Sequence, residues 1–462
     1  MGSPGLHKAR DKMVKAGVDA VAIDTFAHYY RLLEHGETGM VPEATIEPVD
    51  MPKLADVEVD PDVAAEAIRH TAIIKLNGGL GTSMGMERAK SLLCVRRGLS
   101  FLDIIARQVL HLREQHDATL PLIFMNSFRT SEDTMAALER YVDLAVDGLP
   151  LEFLQNKEPK LLEADLLPVS YPKEPDLEWC PPGHGDVYTA MRGTGLLDLL
   201  IERGFRHVFI SNSDNLGAVP DPRVAGWFAA SGAPFAIEAV RRTASDRKGG
   251  HFARRKSDGR IVLRETAQTP QADADALADL ERHRFCSTNN LWFDLGAMKQ
   301  ALDLRKGILG LPLIRNVKPV DPADPSTAKV IQVETAMGAA VEVFEGSALI
   351  EVGRDRFVPV KTTNDLLVLR SDVYEVGSDF VLDQVAGDVP FVDLDDSVYK
   401  FVREFDKRFP EGAPSLAKAS SLRIKGDVSF GRGVQVIGDV VLDSPGAERI
   451  EPGTVLQGPS ES

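Results

Sequence analysis

Through the first forty residues apolar positions recur at helical spacing. They predict one helix from Ala9 to Ala16 and a second from Asp19 to His35, stopped by Gly36 and Gly39. A connector rich in proline and acidic residues runs from Pro42 to about Pro61. The period then changes. Short β-type runs, Ala72 to Leu76, Leu120 to Met125, Leu151 to Leu154, His207 to Ser211 and Phe235 to Val240, alternate with helical stretches such as Phe101 to Glu114 and Glu132 to Val146. Apolar strands separated by helices imply βαβ units, hence an α/β chain with a doubly wound, mostly parallel sheet. In such sheets ligands bind at the carboxyl ends of the strands. After about residue 380 the texture changes again. Leu422 to Leu442 alternates apolar and polar positions, punctuated by Gly426, Gly431, Gly433 and Gly438. The recurring Gly-Asp step predicts a short C-terminal β-helix ending near Leu456, in preference to a plain hairpin. Three parts result: a helical segment with its connector (1–60), a catalytic domain (61–380) and the β-helix (381–462).

Composition narrows the class. A chain of 462 residues, 44% hydrophobic and 26% charged, is long enough for two or three domains and has ordinary soluble globular balance. No apolar run is long enough to span a bilayer, the N-terminus lacks the basic-then-apolar order of a secretory signal, and Leu6 stands where myristoylation wants Ser or Thr. Cys94, Cys180 and Cys286 lie far apart with no CxxC pair. That argues against a zinc site or a disulfide framework and fits a reducing cytosol, so a cytoplasmic enzyme is expected. Basic residues number 53 against 69 acidic, a net charge of −16. Such a balance repels nucleic acid and anionic membranes, so neither is expected as a partner. It leaves nucleotides open: exposed charges fade beyond roughly 8–10 Å in cellular salt, so local lysines, backbone N–H groups and Mg²⁺ decide affinity.

The most informative stretch is Ile73 to Ser91. An apolar strand runs straight into Gly78, Gly79, Gly81 and Gly85, and Lys90 follows. Glycines there let the backbone turn tightly against a phosphate or base, and Lys90 adds a point charge for a triphosphate. The spacing is neither that of a P-loop nor GxGxxG, which disfavours a dehydrogenase. Glycines also serve plain turns, but a lysine after the first sheet strand favours binding.

At Leu76–Gly85 the sequence resembles the nucleotide-binding loop of the eukaryotic-type UTP–glucose-1-phosphate uridylyltransferases. Met125–Phe128, Pro181–Asp186, Ser211–Gly217, Lys248–Gly250, Thr288–Trp292, Glu334–Gly338 and Arg356–Thr363 match the family in the same order. The resemblance runs from about residue 65 to the end. It implies a Rossmann-like nucleotidyltransferase domain, with uracil and ribose held by the backbone of Leu76, Gly78 and Gly79. Lys90 would grip the triphosphate and the Gln155 carboxamide would read the uracil edge. Gly183 and His184 would lie near the base and the reacting phosphate. Asn212 would bond sugar or ribose hydroxyls, and Asp214 would serve substrate phosphates and Mg²⁺. Without the resemblance, His184 would read as a turn residue, and Asp214 with Asn215 as caps of the next helix. Lys361 would touch the α-phosphate and the sugar phosphate, while Lys248–Gly250, Glu265 and Asn289 would form the sugar side.

The implied reaction is in-line attack of a sugar 1-phosphate oxygen on the α-phosphorus of UTP, releasing pyrophosphate. Such transfer asks for positioning and charge stabilisation, and the nucleophile is already an anion, so no general base is needed. The chain departs from the family at Arg88-Ala89, where relatives carry Gly-Pro, at Cys180, at Ser213, and at Ser287, where relatives usually have asparagine. Arg88 either adds charge near the triphosphate or pairs with Glu87 or solvent. Ser287 leaves open a uridylyltransferase for another sugar 1-phosphate. A catalytically silent UDP-sugar-binding protein is disfavoured because Lys90, Asp214 and Lys361 are all present. The family uses its C-terminal region for subunit contacts, which suggests a homo-oligomer.

Overall fold

In the computed structural model, which describes residues 3–247 and 249–458, a sheet of seven strands, its central ones buried along almost their whole length, organises the chain. They are β1 (Thr71–Asn77), β2 (Leu122–Asn126), β3 (Glu152–Leu154), β4 (His207–Asn212), β5 (Phe235–Arg241), β6 (Phe285–Asp294) and β7 (Ala348–Glu351). Across the sheet the order is β7-β5-β6-β4-β1-β2-β3. Neighbours are parallel except at β6, which runs antiparallel to β4 and β5. Side chains alternate between faces along a strand. Ile73, Phe124, Phe209 and Trp292 therefore share one core with helices Phe101–His116 and Pro222–Ser231. Ala72, Ile74, Ile123, Val208 and Phe293 share the opposite core with helices Asp186–Gly193, Leu196–Glu202 and Leu295–Leu304. Both faces are covered, as a doubly wound sheet requires. Each fully buried Leu, Ile or Phe there stabilises by ~1.5–3 kcal/mol.

The expected strands all form. The first helix starts earlier than its periodicity suggests, at Pro4, because Ser3 caps it and proline suits the first turn. The second spans Ala20–Glu34 and is capped by Asp19. The helix expected from Glu132 to Val146 is instead Ser131–Leu138 followed by a short 3₁₀ turn, Val142–Leu144. The chain leaves the helix there, and both Arg140 and Tyr141 reach the buried Asp103 carboxylate, the tyrosine hydroxyl at 2.7 Å. The two N-terminal helices pack Leu6, Phe26 and Tyr30 against Leu161, Leu313 and Ile331. Their connector adds a strand, Ile46–Glu47, to His251–Arg255.

In the C-terminal part Ser415 lies beside Gln435 and Gln435 beside Val455, all in parallel strands, a twenty-residue spacing that register shifts shorten to eighteen between Ser421 and Asp439. Val428–Phe430 and Glu448–Ile450 form a second parallel pair. A hairpin would pair antiparallel. Leu416, Leu422 and Val436 from this stack belong to the same buried cluster as Ile73. Among the described residues no helix is long and apolar enough to cross a membrane.

One charged residue lies within the buried run of β1. Lys75 is enclosed on the Ile73 face and its ammonium donates to the Ala218 carbonyl at 2.6 Å. Burial, followed by repulsion from Arg356, lowers its pKa from 10.5 to about 7, although Glu238 and Asp214 pull the other way. Across the window between these values the unfolded chain binds more protons than the folded one, so stability rises with pH. The urea midpoint of the protein, taken relative to Lys75→Met, is expected to climb between about pH 7 and about pH 10. A constant difference would mean that Lys75 titrates as an ordinary lysine.

Candidate active site

The site begins where β1 ends. Asn77 donates from Nδ2 to Asn126 Oδ1 (2.8 Å) and Thr134 Oγ1 (2.9 Å), and the chain then leaves the sheet at Gly78. A side chain at Gly78 would stand 2.7 Å from Gln155 Oε1, whereas the space over Gly79 is open. The loop backbone and the Gln155 carboxamide thus form one wall of a cleft. Gln155 Nε2 donates to the Gly183 carbonyl at 3.0 Å, which brings the Pro181–Asp186 turn to the same wall. That turn has no room for a side chain: Gly183 has φ 78°, and a Cβ there would lie 2.6 Å from the Thr335 carbonyl oxygen. Thr335 N–H donates to Pro182 O (3.0 Å) and Gly185 N–H to Thr335 O (2.8 Å), so two blocks distant in sequence interlock. Met337 N–H donates to His184 Nδ1 at 3.0 Å. This assigns the ring proton to Nε2, making His184 a neutral donor. Burial, followed by the Lys361 charge, lowers its pKa to about 4.

The residues expected to serve phosphate sit at the ends of β1 and β4. These strands pair in parallel, Leu76 beside Asn212, so their loops emerge together. Ser213 reinforces the junction, its hydroxyl donating to Leu76 O (2.8 Å) and Asn77 Oδ1 (2.9 Å). The Leu76 carbonyl accepts from Ser213 N–H as well, so it serves the sheet. Lys90 donates to Asp214 Oδ2 at 2.7 Å and to the Val360 carbonyl. Val360 N–H donates back to the Asp214 carbonyl at 3.1 Å. Neither Asp214 nor Asn215 caps the next helix; Asp221 does. Lys361 is exposed, and its charge is felt at both His184 and Glu265. Among the described residues no group of three or more His, Cys, Asp or Glu could hold a metal.

On the remaining side, a side chain at Gly250 would stand 2.6 Å from Glu265 Oε2. Burial raises the pKa of Glu265 while Lys361 opposes it. Asn289 lies inside β6 yet has φ 58°, a left-handed backbone that asparagine tolerates better than most residues. Its N–H donates to Ser287 Oγ at 3.0 Å, so the hydroxyl that departs from the family pattern shapes this bend. Lys248 lies outside the described residues.

The structure thus gathers Lys90, Asp214 and Lys361, and joins Gln155, Gly183 and His184 to the glycine loop. Arg88 goes elsewhere: it pairs with Asp133 (2.7 Å), not with Glu87 or toward Lys90. Sequence reading missed Asp186, whose carboxylate accepts from Asn156 N–H (2.7 Å) and Nδ2 (2.9 Å) and so fixes the residue after Gln155. It closes a matched block but carried no role there. The histidine assignment is directly measurable. In histidine-labelled protein, NMR should report a neutral His184 with the proton on Nε2, titrating near pH 4. Lys361→Ala should raise that midpoint. A midpoint near the ordinary 6.5 in both proteins would overturn the assignment.

Residues 23–436 match the family described as UTP–glucose-1-phosphate uridylyltransferase. The barley (Hordeum vulgare) enzyme of that name is 36% identical over 410 residues, covering 87% of this chain and 84% of its own length. A probable one from Schizosaccharomyces pombe is 34% identical over 461 residues, covering 97% and 89%. Among solved structures, the UDP-glucose pyrophosphorylase of Leishmania major superposes with a TM-score of 0.93 at 40% identity, covering 99% of each chain. The UDP-glucose phosphorylase of Trypanosoma brucei gives 0.91 at 41%, covering 98% of each. With the family model, the curated relatives and the solved structures all matching over most of its length, the chain belongs to the UTP–glucose-1-phosphate uridylyltransferase family.

Proposed function

We propose that this chain transfers a uridylyl group from UTP to glucose 1-phosphate, giving UDP-glucose and pyrophosphate, with its cleft working as follows. The carrying observation is that Lys90, Asp214 and the Lys361 segment converge beside a glycine loop whose wall holds the Gln155 carboxamide. Variants of the Leishmania major relative were crystallised in complex with UDP-glucose, which supports the same ligand here. Uracil and ribose lie against Leu76, Gly78, Gly79 and Gln155, with Gly183 and Asn212 at the edges. The sugar lies toward Gly250, Glu265 and Asn289. The glucose 1-phosphate oxygen attacks the α-phosphorus in line, the P–O bond to pyrophosphate breaks, and no proton moves. Lys90 holds the leaving pyrophosphate. Lys361 bridges two phosphates that repel each other, and neutral His184 donates from Nε2.

Asp214 would hold Mg²⁺ together with substrate phosphates, since Mg²⁺ often takes one or two carboxylates plus phosphate oxygens. The donor set fits: Asp214 already carries a cation, the Lys90 ammonium, at 2.7 Å. The metal would neutralise charge on the triphosphate. A cytoplasmic compartment accords with three free cysteines. The parallel stack supports reading 381–462 as a short β-helix beyond the 61–380 catalytic domain and the 1–60 helical segment. Its outermost described strand leaves Val455 exposed, and Val441 of the neighbouring strand is exposed too, which suits a homo-oligomer.

Pyrophosphate release with Mg²⁺ and UTP, across glucose, galactose and N-acetylglucosamine 1-phosphates, tests this. Release should be strongest with glucose 1-phosphate, absent with ATP, and reduced roughly 10²–10³-fold in Lys361→Ala, the loss typical of one missing charge-stabilising donor. Wild-type turnover in Lys361→Ala would remove that lysine from the reaction.

A further inference from the structure

Beneath the cleft lies a buried ion pair that the reaction scheme does not use. Glu238, in the middle of β5, is fully buried, and Arg356 is nearly so. The guanidinium grips the carboxylate with both arms, Nε to Oε2 at 2.6 Å and Nη2 to Oε1 at 2.7 Å. The carboxylate's remaining capacity is taken by β6: Trp292 Nε1 donates to Oε1 (2.9 Å) and Asn290 Nδ2 to Oε2 (3.1 Å). The β5–β6 register slips at this point, between Ile237 and Ala239. There the Glu238 carbonyl accepts from Thr288 Oγ1 at 2.7 Å.

Arg356 begins the segment that ends at Lys361. Its carbonyl accepts from Asn215 Nδ2 (3.1 Å) and Asn290 Nδ2 (3.3 Å). Two residues on, Val358 N–H donates to Asn215 Oδ1 at 2.9 Å, and Val360 N–H reaches the Asp214 carbonyl. One carboxylate therefore joins the segment bearing Lys361 to the strand whose bend holds Asn289, and Asn215 joins that segment's backbone to the loop bearing Asp214. Stability alone does not ask for charge here, because a well-packed apolar pair is often as stable as a buried ion pair. What the pair adds is registry.

We propose that Glu238 and Arg356 are positioning residues: the pair fixes the 356–361 segment against Asp214 and β6, so that Lys361 meets the reacting phosphates in one geometry. The inference rests on the reading of Lys361 given above. Glu238→Gln keeps the shape but places an NH₂ group among donors, and should loosen that registry. Displacement of a catalytic group by about 1 Å can slow a reaction ~10²-fold. Glu238→Gln is therefore expected to lower kcat roughly 10–100-fold, with KM for UTP and for glucose 1-phosphate changed by less than about threefold.

The decisive measurement is a double-mutant cycle with Lys361→Ala, because residues that act through one another are not additive. In the Lys361→Ala background, Glu238→Gln should lower kcat less than about threefold further. A full additional loss would show that the pair only supports the fold and would overturn the proposal. If Glu238→Gln does not fold, Arg356→Lys, which keeps the charge and loses the fork, takes its place in the cycle. The double variant Glu238→Leu/Arg356→Met leaves no unpaired charge and is expected to regain thermal stability relative to Arg356→Met while kcat stays low. Recovery of kcat along with stability would also overturn the proposal. Wild-type kcat in Lys361→Ala alone would instead sink the reading of that lysine, whatever the cycle gives.

Discussion

Parallel pairing of β1 with β4 fixes where everything else can go. With Leu76 beside Asn212, the glycine loop and the Asp214 loop leave the sheet next to each other, and Ser213 staples them through Leu76 and Asn77. Lys90, carried on the far side of the loop, then needs only its own reach to arrive at Asp214. The pairing in turn depends on side chains alternating between two cores along both strands, since a one-residue slip would turn Ile73 and Phe209 to the wrong core. Hydrophobic register and phosphate-side geometry are one constraint seen at two levels.

Much of this is legible in the sequence because it is local. Strand runs such as Ala72 to Leu76 stand out as short apolar stretches, and the glycine loop follows without interruption. The order of matched blocks supplies the rest of the outline. What escapes is whatever depends on a partner far along the chain. Arg88 beside Glu87 gives no hint of Asp133. The stretch after Glu132 is helical in periodicity, yet Arg140 and Tyr141 have a better acceptor in Asp103. Gly85 reads as one more loop glycine, but Phe401 of the C-terminal part lies where its side chain would be, with Cδ1 2.8 Å from an added Cβ. Asn289 has a left-handed backbone that no pattern of apolar residues can announce.

The electrostatics follow the same division between global and local. A net charge of −16 says little about a site in which Lys90 is held at Asp214 and the Lys361 charge is felt at His184. There the nearby charges and the loss of water set the protonation states. His184 is kept neutral by burial and by Lys361, which suits a ring that donates one hydrogen bond and would otherwise titrate in the physiological range. Asp186, pushed up to about 6 by burial, is held toward its charged form by two bonds from Asn156.

The contact between Lys90 and Asp214 looks at first like an obstacle, since substrate must break it. It is not one, provided each charge is given a new partner: their side chains are only 15% and 24% exposed, so an uncompensated break would be costly. Ordering a free lysine side chain costs up to about 1.5–2 kcal/mol. Holding Lys90 on Asp214 and on the Val360 carbonyl meets that cost during folding, before any nucleotide arrives. On the reading proposed above, a triphosphate would offer Lys90 stronger opposite charge than Asp214 does, Mg²⁺ would take the lysine's place on the carboxylate, and the lysine would have only a short way to move. The ion pair of the free protein is thus better understood as preorganisation than as inhibition.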